Sequence, residues 1–255
     1  FKPPDEELLA PRKENQRPYK GEVALYYPET PPDDQKDLYL GVAHVTDGAD
    51  VTRGVEMLTR YLEKFPDSVL ALMSREFGYK ELGRYADAVS DLLKAARLES
   101  DRPQIYTALG DALEHLGNHA DAIRAYEEAI KLRPDLITPW NGLGVNRMLL
   151  GDVDGAIEAW RKVAELEEFD EDAHLNLASA YGQKGMILEA AESARRALAI
   201  NPSKSTGWML LAQCMLAERT TTGPEEAAWY AAEAVRLDPG QPEPFDTLRD
   251  RKSVV

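Results

Sequence analysis

Cysteine is almost absent from this sequence: Cys214 stands alone among 255 residues. One thiol excludes an intrachain disulfide framework and any cysteine pair that would hold zinc or an iron–sulfur cluster. Positive charge is scarce too, with 30 Lys and Arg against 45 Asp and Glu and a formal charge of −15. That excess of acid works against the phosphate backbone of nucleic acid and against an anionic membrane surface. Long apolar runs are missing; none approaches the ~18 consecutive residues of a spanning helix, so membrane insertion is not expected. The chain begins at Phe1 with no basic-then-apolar leader, as expected of a processed protein or a piece of a longer one. What is present suffices for a core, since 44% of the residues are hydrophobic.

Residues 1–34 differ from the rest. Pro3, Pro4, Pro11, Pro18, Pro28, Pro31 and Pro32 deny backbone donors and break helical runs, which predicts an extended lead-in. Within it the 21–27 run GEVALYY is β-branched and aromatic enough to pair as a strand or lie along the next element. From residue 35 onward the chain repeats at a period of ~34 residues. Tyr106, Leu109, Gly110, Leu113, Gly117, Ala122, Tyr126, Ala129 and Pro134 recur one period later as Trp140, Leu143, Gly144, Arg147, Gly151, Ala156, Trp160, Val163 and Glu168. His174, Leu177, Ala178, Tyr181, Gly185, Ala190 and Pro202 continue the frame, and Trp208, Leu211, Ala212, Met215, Ala227 and Pro239 close it. The predicted organisation is a lead-in over 1–34, a degenerate hairpin over 35–68, and five repeats over 69–102, 103–136, 137–170, 171–204 and 205–240. A C-terminal cap over 241–255 follows, beginning from the short pattern Phe245 to Leu248.

Each unit carries two apolar patterns at helical spacing, separated by a turn at Gly83, Gly117, Gly151 or Gly185. That is a helix hairpin. Small residues mark the expected close approaches, Gly144 with Ala156 and Ala178 with Ala190 among them, while Tyr106, Tyr126, Trp140, Trp160 and Trp208 fill the space between hairpins. No hairpin covers its own apolar face, so hairpins must stack in a row.

This pattern resembles that of the tetratricopeptide repeat family, W-x2-L-G-x2-Y followed by A-x3-F and P. The resemblance implies an all-α fold, an α-α superhelical solenoid of TPR helix hairpins behind an extended N-terminal lead-in. It also implies a concave wall lined by the first helix of each pair, where relatives hold a peptide or helix of another protein. Carried onto this chain, the partner-binding positions are Met73, Phe77, Thr107, Asp111, Glu114, Asn141, Val145, Met148, Leu175, Ser179, Met209, Gln213 and Leu216. Relatives that clamp the acidic tails of chaperones use Lys, Arg and Asn on this wall; Asp111 and Glu114 would repel such a tail. The wall instead suits a protein or peptide partner with apolar anchors and a basic flank.

No reactive constellation stands out. His115 and His119 are split by Gly117 and Asn118, His174 takes a slot that Trp140 and Trp208 fill elsewhere, and Cys214 reads as a small core residue. No phosphate loop or dinucleotide fingerprint occurs. The expectation is therefore a chain that is not an enzyme and has no cofactor and no metal. The acidic run from Glu165 to Asp172 reads as a solvated rim between repeats, with a docking site for a basic partner as the alternative.

A second stretch, LLAPRKENQRPYKGEVALYYPETPPDDQKDLYLGVAHV, resembles the junction of bacterial extracytoplasmic proteins in which a multihaem c-type cytochrome region precedes tetratricopeptide repeats. Leu8 to Pro11, Tyr19 to Val23, Leu25 to Pro28 and Leu38 to Leu40 carry it. In that family haem attaches upstream through C-x-x-C-H, which this chain lacks. The resemblance implies a docking module of an electron-transfer protein, periplasmic or extracellular, with the cytoplasm as the alternative. A third reading is self-association into a homo-oligomer through exposed end hairpins.

Overall fold

Five glycines in the left-handed region punctuate the chain: Gly48, Gly83, Gly117, Gly151 and Gly185 have φ of 69°, 70°, 74°, 81° and 73°. A side chain at such a position strains the backbone, so each glycine ends one helix and turns the chain back toward the next. Around Gly83 the amide of Arg84 donates to Tyr79 O (2.7 Å) and that of Gly83 to Lys80 O (2.9 Å), which serves the last carbonyls of the helix. The same closure recurs from Asp152 to Arg147 O and from Met186 to Tyr181 O.

The computed structural model describes residues 33–217 and 223–239, and among these it contains twelve helices and no strand. They are α1 Lys36–Asp47, α2 Val51–Lys64, α3 Val69–Glu81, α4 Tyr85–Leu98, α5 Pro103–His115, α6 His119–Leu132, α7 Ile137–Leu149, α8 Val153–Leu166, α9 Glu171–Gln183, α10 Ile187–Ile200, α11 Ser205–Ala217 and α12 Gly223–Leu237. The helices α3, α5, α7, α9 and α11 start at intervals of 34 residues. Their starts are specified locally. Ser68 accepts from Ala71 N, Asp170 from Ala173 N, and Pro103 sits in the first turn of α5 where its missing N–H costs nothing. The all-α hairpin fold implied by the repeat pattern is the fold observed.

The chain forms two compact units, one up to Leu116 and one from Gly117. In the first, α1 to α5 each pack on the next and α1 also touches α3. In the second, α6 to α12 do the same and α9 also touches α11. Small residues at the crossings are sealed, the alanines Ala88, Ala95, Ala122, Ala129 and Ala156 and the valine Val163 all having no accessible surface.

Two packing details differ from expectation. A Cβ built on Gly144 would lie 2.6 Å from the Trp160 indole, so the partner that demands glycine there is Trp160 rather than Ala156. The interhelix aromatics also divide: Tyr126 and Trp160 are buried, whereas Tyr106, Trp140 and Trp208 are only half-buried. The 21–27 run, the cytochrome-like junction up to residue 32 and the C-terminal cap over 241–255 lie outside the described residues.

Candidate functional site

In the first unit the face of the first helices is built by α3 and α5. Met73 and Phe77 on α3, and Thr107, Asp111 and Glu114 on α5, are all half-buried. Thr107 Oγ1 donates back to Pro103 O (3.1 Å), which fixes its rotamer along the helix. Between the two helices stands an acid–base–acid cluster that no single repeat displays in sequence. Lys80 Nζ lies 3.6 Å from Glu76 Oε1 and 3.8 Å from Asp111 Oδ2. Glu76 is 4% exposed, and its Oε1 is buried without a hydrogen-bond donor among the described residues. Burial pushes its pKa up to about 7, against the pull of Lys80 and with the help of Asp111 and Asp91.

In the second unit the face runs over α7, α9 and α11. Asn141, Ser179 and Gln213 are exposed, while Val145, Met148, Met209 and Leu216 are half-buried. The structure does not make them equivalent. Asn141 Oδ1 accepts from Trp160 Nε1 (3.0 Å), so half of its amide is committed to the indole that Gly144 admits. Val145, Met148 and Leu216 pack against the core cluster and offer only an edge. Leu175 is 9% exposed, and a Cβ on Gly207 would lie 3.5 Å from its Cδ2. Leu175 is thus largely covered where α11 approaches through Gly207.

The histidines serve packing. His115 ends α5 and stacks on Tyr85 (centroids 4.4 Å apart), and His119 begins α6. His119 Nδ1 is 2.8 Å from Asn146 Oδ1, while Asn146 Nδ2 donates to Gly142 O at 2.8 Å. Because an amide oxygen only accepts, the contact joins His119 Nδ1 as donor to Asn146 Oδ1. Among the described residues no three His, Cys, Asp or Glu converge as a metal site.

Sequence reasoning passed over Glu76, Arg75, Asp91 and Asn146, although the 34-residue frame held the signal. Glu76 occupies the register of Gly110, Gly144, Ala178 and Ala212; Arg75 that of Leu109, Leu143, Leu177 and Leu211; Asp91 that of Ala125, Ala159 and Ser193. Arg75 and Asp91 compensate each other through a bidentate pair (2.8 and 2.7 Å), and Arg75 also donates to Thr59 Oγ1 at 3.0 Å. Asn146 stands where Ala112, Ala180 and Cys214 stand and has no accessible surface. Polar intruders at small or apolar register positions were thus visible before any coordinates.

The tetratricopeptide repeat family model matches residues 79–137 and 142–205. No curated protein matches the sequence. Among solved structures, MamA is similar at 25% identity over 68% of this chain and 93% of that one, with a TM-score of 0.63. The PilF structure from Pseudomonas aeruginosa shares 17% identity over 85% of this chain and 97% of its own, with a TM-score of 0.68. YrrB, described as a TPR protein with an unusual peptide-binding site, shares 16% over 76% and 99%, with a TM-score of 0.66. At those identities the last two attest to the fold alone. Over residues 79–137 and 142–205 this helical chain is thus similar to the tetratricopeptide repeat family.

Proposed function

We propose that this protein is a non-catalytic interaction scaffold, and that the first helices of its repeats receive a peptide or helix of another protein. One observation carries the reading: on the first helices the apolar side chains Met73 and Phe77 of α3 and Met209 of α11 stay half-buried rather than sealed. Such side chains repay desolvation only when something covers them. Asp111 and Glu114 stand on α5 of the same unit as Met73 and Phe77, and Lys80 Nζ lies 3.8 Å from Asp111 Oδ2. The complementary ligand is a segment with aliphatic or aromatic anchors and a basic flank. The fold shared with YrrB, itself a peptide-binding protein by description, accords with this.

Fluorescence anisotropy with an array of labelled peptides that combine leucine anchors and lysine flanks tests the proposal. The full chain should bind members of the array. Phe77→Glu in one unit and Met209→Glu in the other should each weaken the ligand they face at least tenfold while circular dichroism is unchanged. Peptides bound equally by wild type and both variants would refute the assignment of this face. Asn141 is a poor probe, since its loss would free the Trp160 indole.

A further inference from the structure

The opposite side of the second unit carries a cleft of about 720 Å³ between the second helices α8 and α10, floored by α9. Its position in the repeat explains why it exists. In three repeats an aromatic residue plugs the equivalent slot and donates to the carbonyl six residues upstream: Tyr106 Oη to Ser100 O (3.2 Å), Trp140 Nε1 to Pro134 O (2.9 Å) and Trp208 Nε1 to Pro202 O (2.9 Å). At the same register α9 has His174, one ring smaller than tryptophan, and the cleft opens there. The imidazole is 7% exposed, lines the cleft and makes no hydrogen bond with a described residue. Leu72 marks the other repeat without an aromatic, and a cleft of about 640 Å³ opens beside it in the first unit. There the protein answers itself, because Lys94 Nζ donates to Pro66 O, the carbonyl an indole would have met. Arg196 holds the register of Lys94 in the second unit, yet it turns to Glu192 (2.6 Å).

We infer that the α8–α10 cleft is a second docking site, which takes a tryptophan or tyrosine side chain of a partner peptide flanked by Lys or Arg. The incoming ring occupies the place that Trp140 and Trp208 occupy in their own repeats, against His174 and Leu177, and its N–H or O–H donates to the Glu168 carbonyl. Charge selects the flanks. Four acids, Glu165, Glu168, Glu189 and Glu192, line the cleft beside Arg161 and Arg196; Lys162 pairs with Glu165 (2.9 Å) and Arg196 with Glu192 (2.6 Å), so Glu168 and Glu189 are the acids that meet a basic flank. Phe169, 74% exposed at the rim, gives the peptide an apolar edge to close on. This site is separate from the first-helix face and stands or falls independently of it.

The test is a nuclear magnetic resonance titration of the full chain with a blocked pentapeptide of one tryptophan between two pairs of lysines. Saturable shifts are expected at Phe169, Leu177 and Ala199. Exchanging the peptide's tryptophan for alanine should weaken binding at least tenfold, as should the charge-reversing pair Glu168→Lys with Glu189→Lys. His174→Trp should fill the slot from within, raise the melting temperature and weaken the peptide at least tenfold. The rise in melting temperature shows that this variant is folded. Absence of saturable shifts, equal affinity for the alanine peptide, or undiminished binding to His174→Trp each overturns the inference. Shifts confined to Ser179, Met209 and Gln213 overturn it while leaving the first-helix face standing. Sedimentation showing wild-type dimers that His174→Trp dissolves would assign the cleft to a second copy of the chain and overturn the partner reading.

Discussion

Glu76 carries the sharpest chemical consequence of any single residue. It replaces a glycine or alanine of the sister repeats at a helix crossing, so its carboxyl is pressed out of water with Lys80 as the cation beside it. Its native pKa of about 7 exceeds the ordinary 4.5, so the folded state binds the extra proton between those values. Its contribution is complete below about pH 4.5 and is lost as pH rises through about 7. Glu76→Gln is therefore expected to match wild type near pH 5 and to exceed it by about 2–3 kcal/mol at pH 8. Urea denaturation across that range reads the difference, and a gap that stays constant with pH would contradict it. Arg75 and Asp91 make a second case. Asp91→Ala should cost about 3–5 kcal/mol by stranding a buried guanidinium. Arg75→Leu with Asp91→Ala restores the pair of residue types found in the neighbouring repeats and should recover all but about 1 kcal/mol. Equal losses in single and double variants would mean that the pair is not what holds the site.

At the scale of the element, two glycines in helices make opposite predictions. Gly142 lies in α7 where a Cβ would sit 2.3 Å from Tyr126 Cζ, a ring with no room to retreat. Gly142→Ala should force α6 and α7 apart and lose about 1–3 kcal/mol. Gly182 lies in α9 with nothing within 4 Å of its would-be Cβ. Gly182→Ala should gain about 0.5–1 kcal/mol from helix propensity alone. Thermal melts of the two variants moving in the same direction would contradict the packing described here. Helix positions themselves were readable in the sequence, because the left-handed glycines, Ser68, Asp170 and Pro103 act through their own few neighbours. The crossing partner of Gly144 was not readable. Whether Ala156 or Trp160 meets it depends on the rotation of α8 against α7, and the repeat pattern places both residues on the same side of α8.

For the molecule as a whole, an acidic chain with a formal charge of −15 should meet basic partners at either face with a strong dependence on salt. Affinity for a lysine-flanked peptide is expected to fall about tenfold between 20 and 200 mM salt, as the screening length shrinks below the span of the acidic rims. Anisotropy titrations at the two concentrations measure it, and a flat response would argue that apolar anchors alone carry the contact. The candidate face was legible only in part. Periodicity places Leu175 and Met209 on equivalent inward positions, but Leu175 is closed over by α11 and Met209 is not. Asn141 reads as a free amide until Trp160 arrives from 19 residues away. The amino-acid sequence by itself determined the helices, their hairpin turns and the 34-residue step, since capping, left-handed glycines and apolar spacing act over a few residues. Only the tertiary structure decided which side chains lose water and which slots stay vacant. The desolvation of Glu76 and the cleft beside His174 arise from what neighbouring helices bring against them, and no local pattern encodes that meeting.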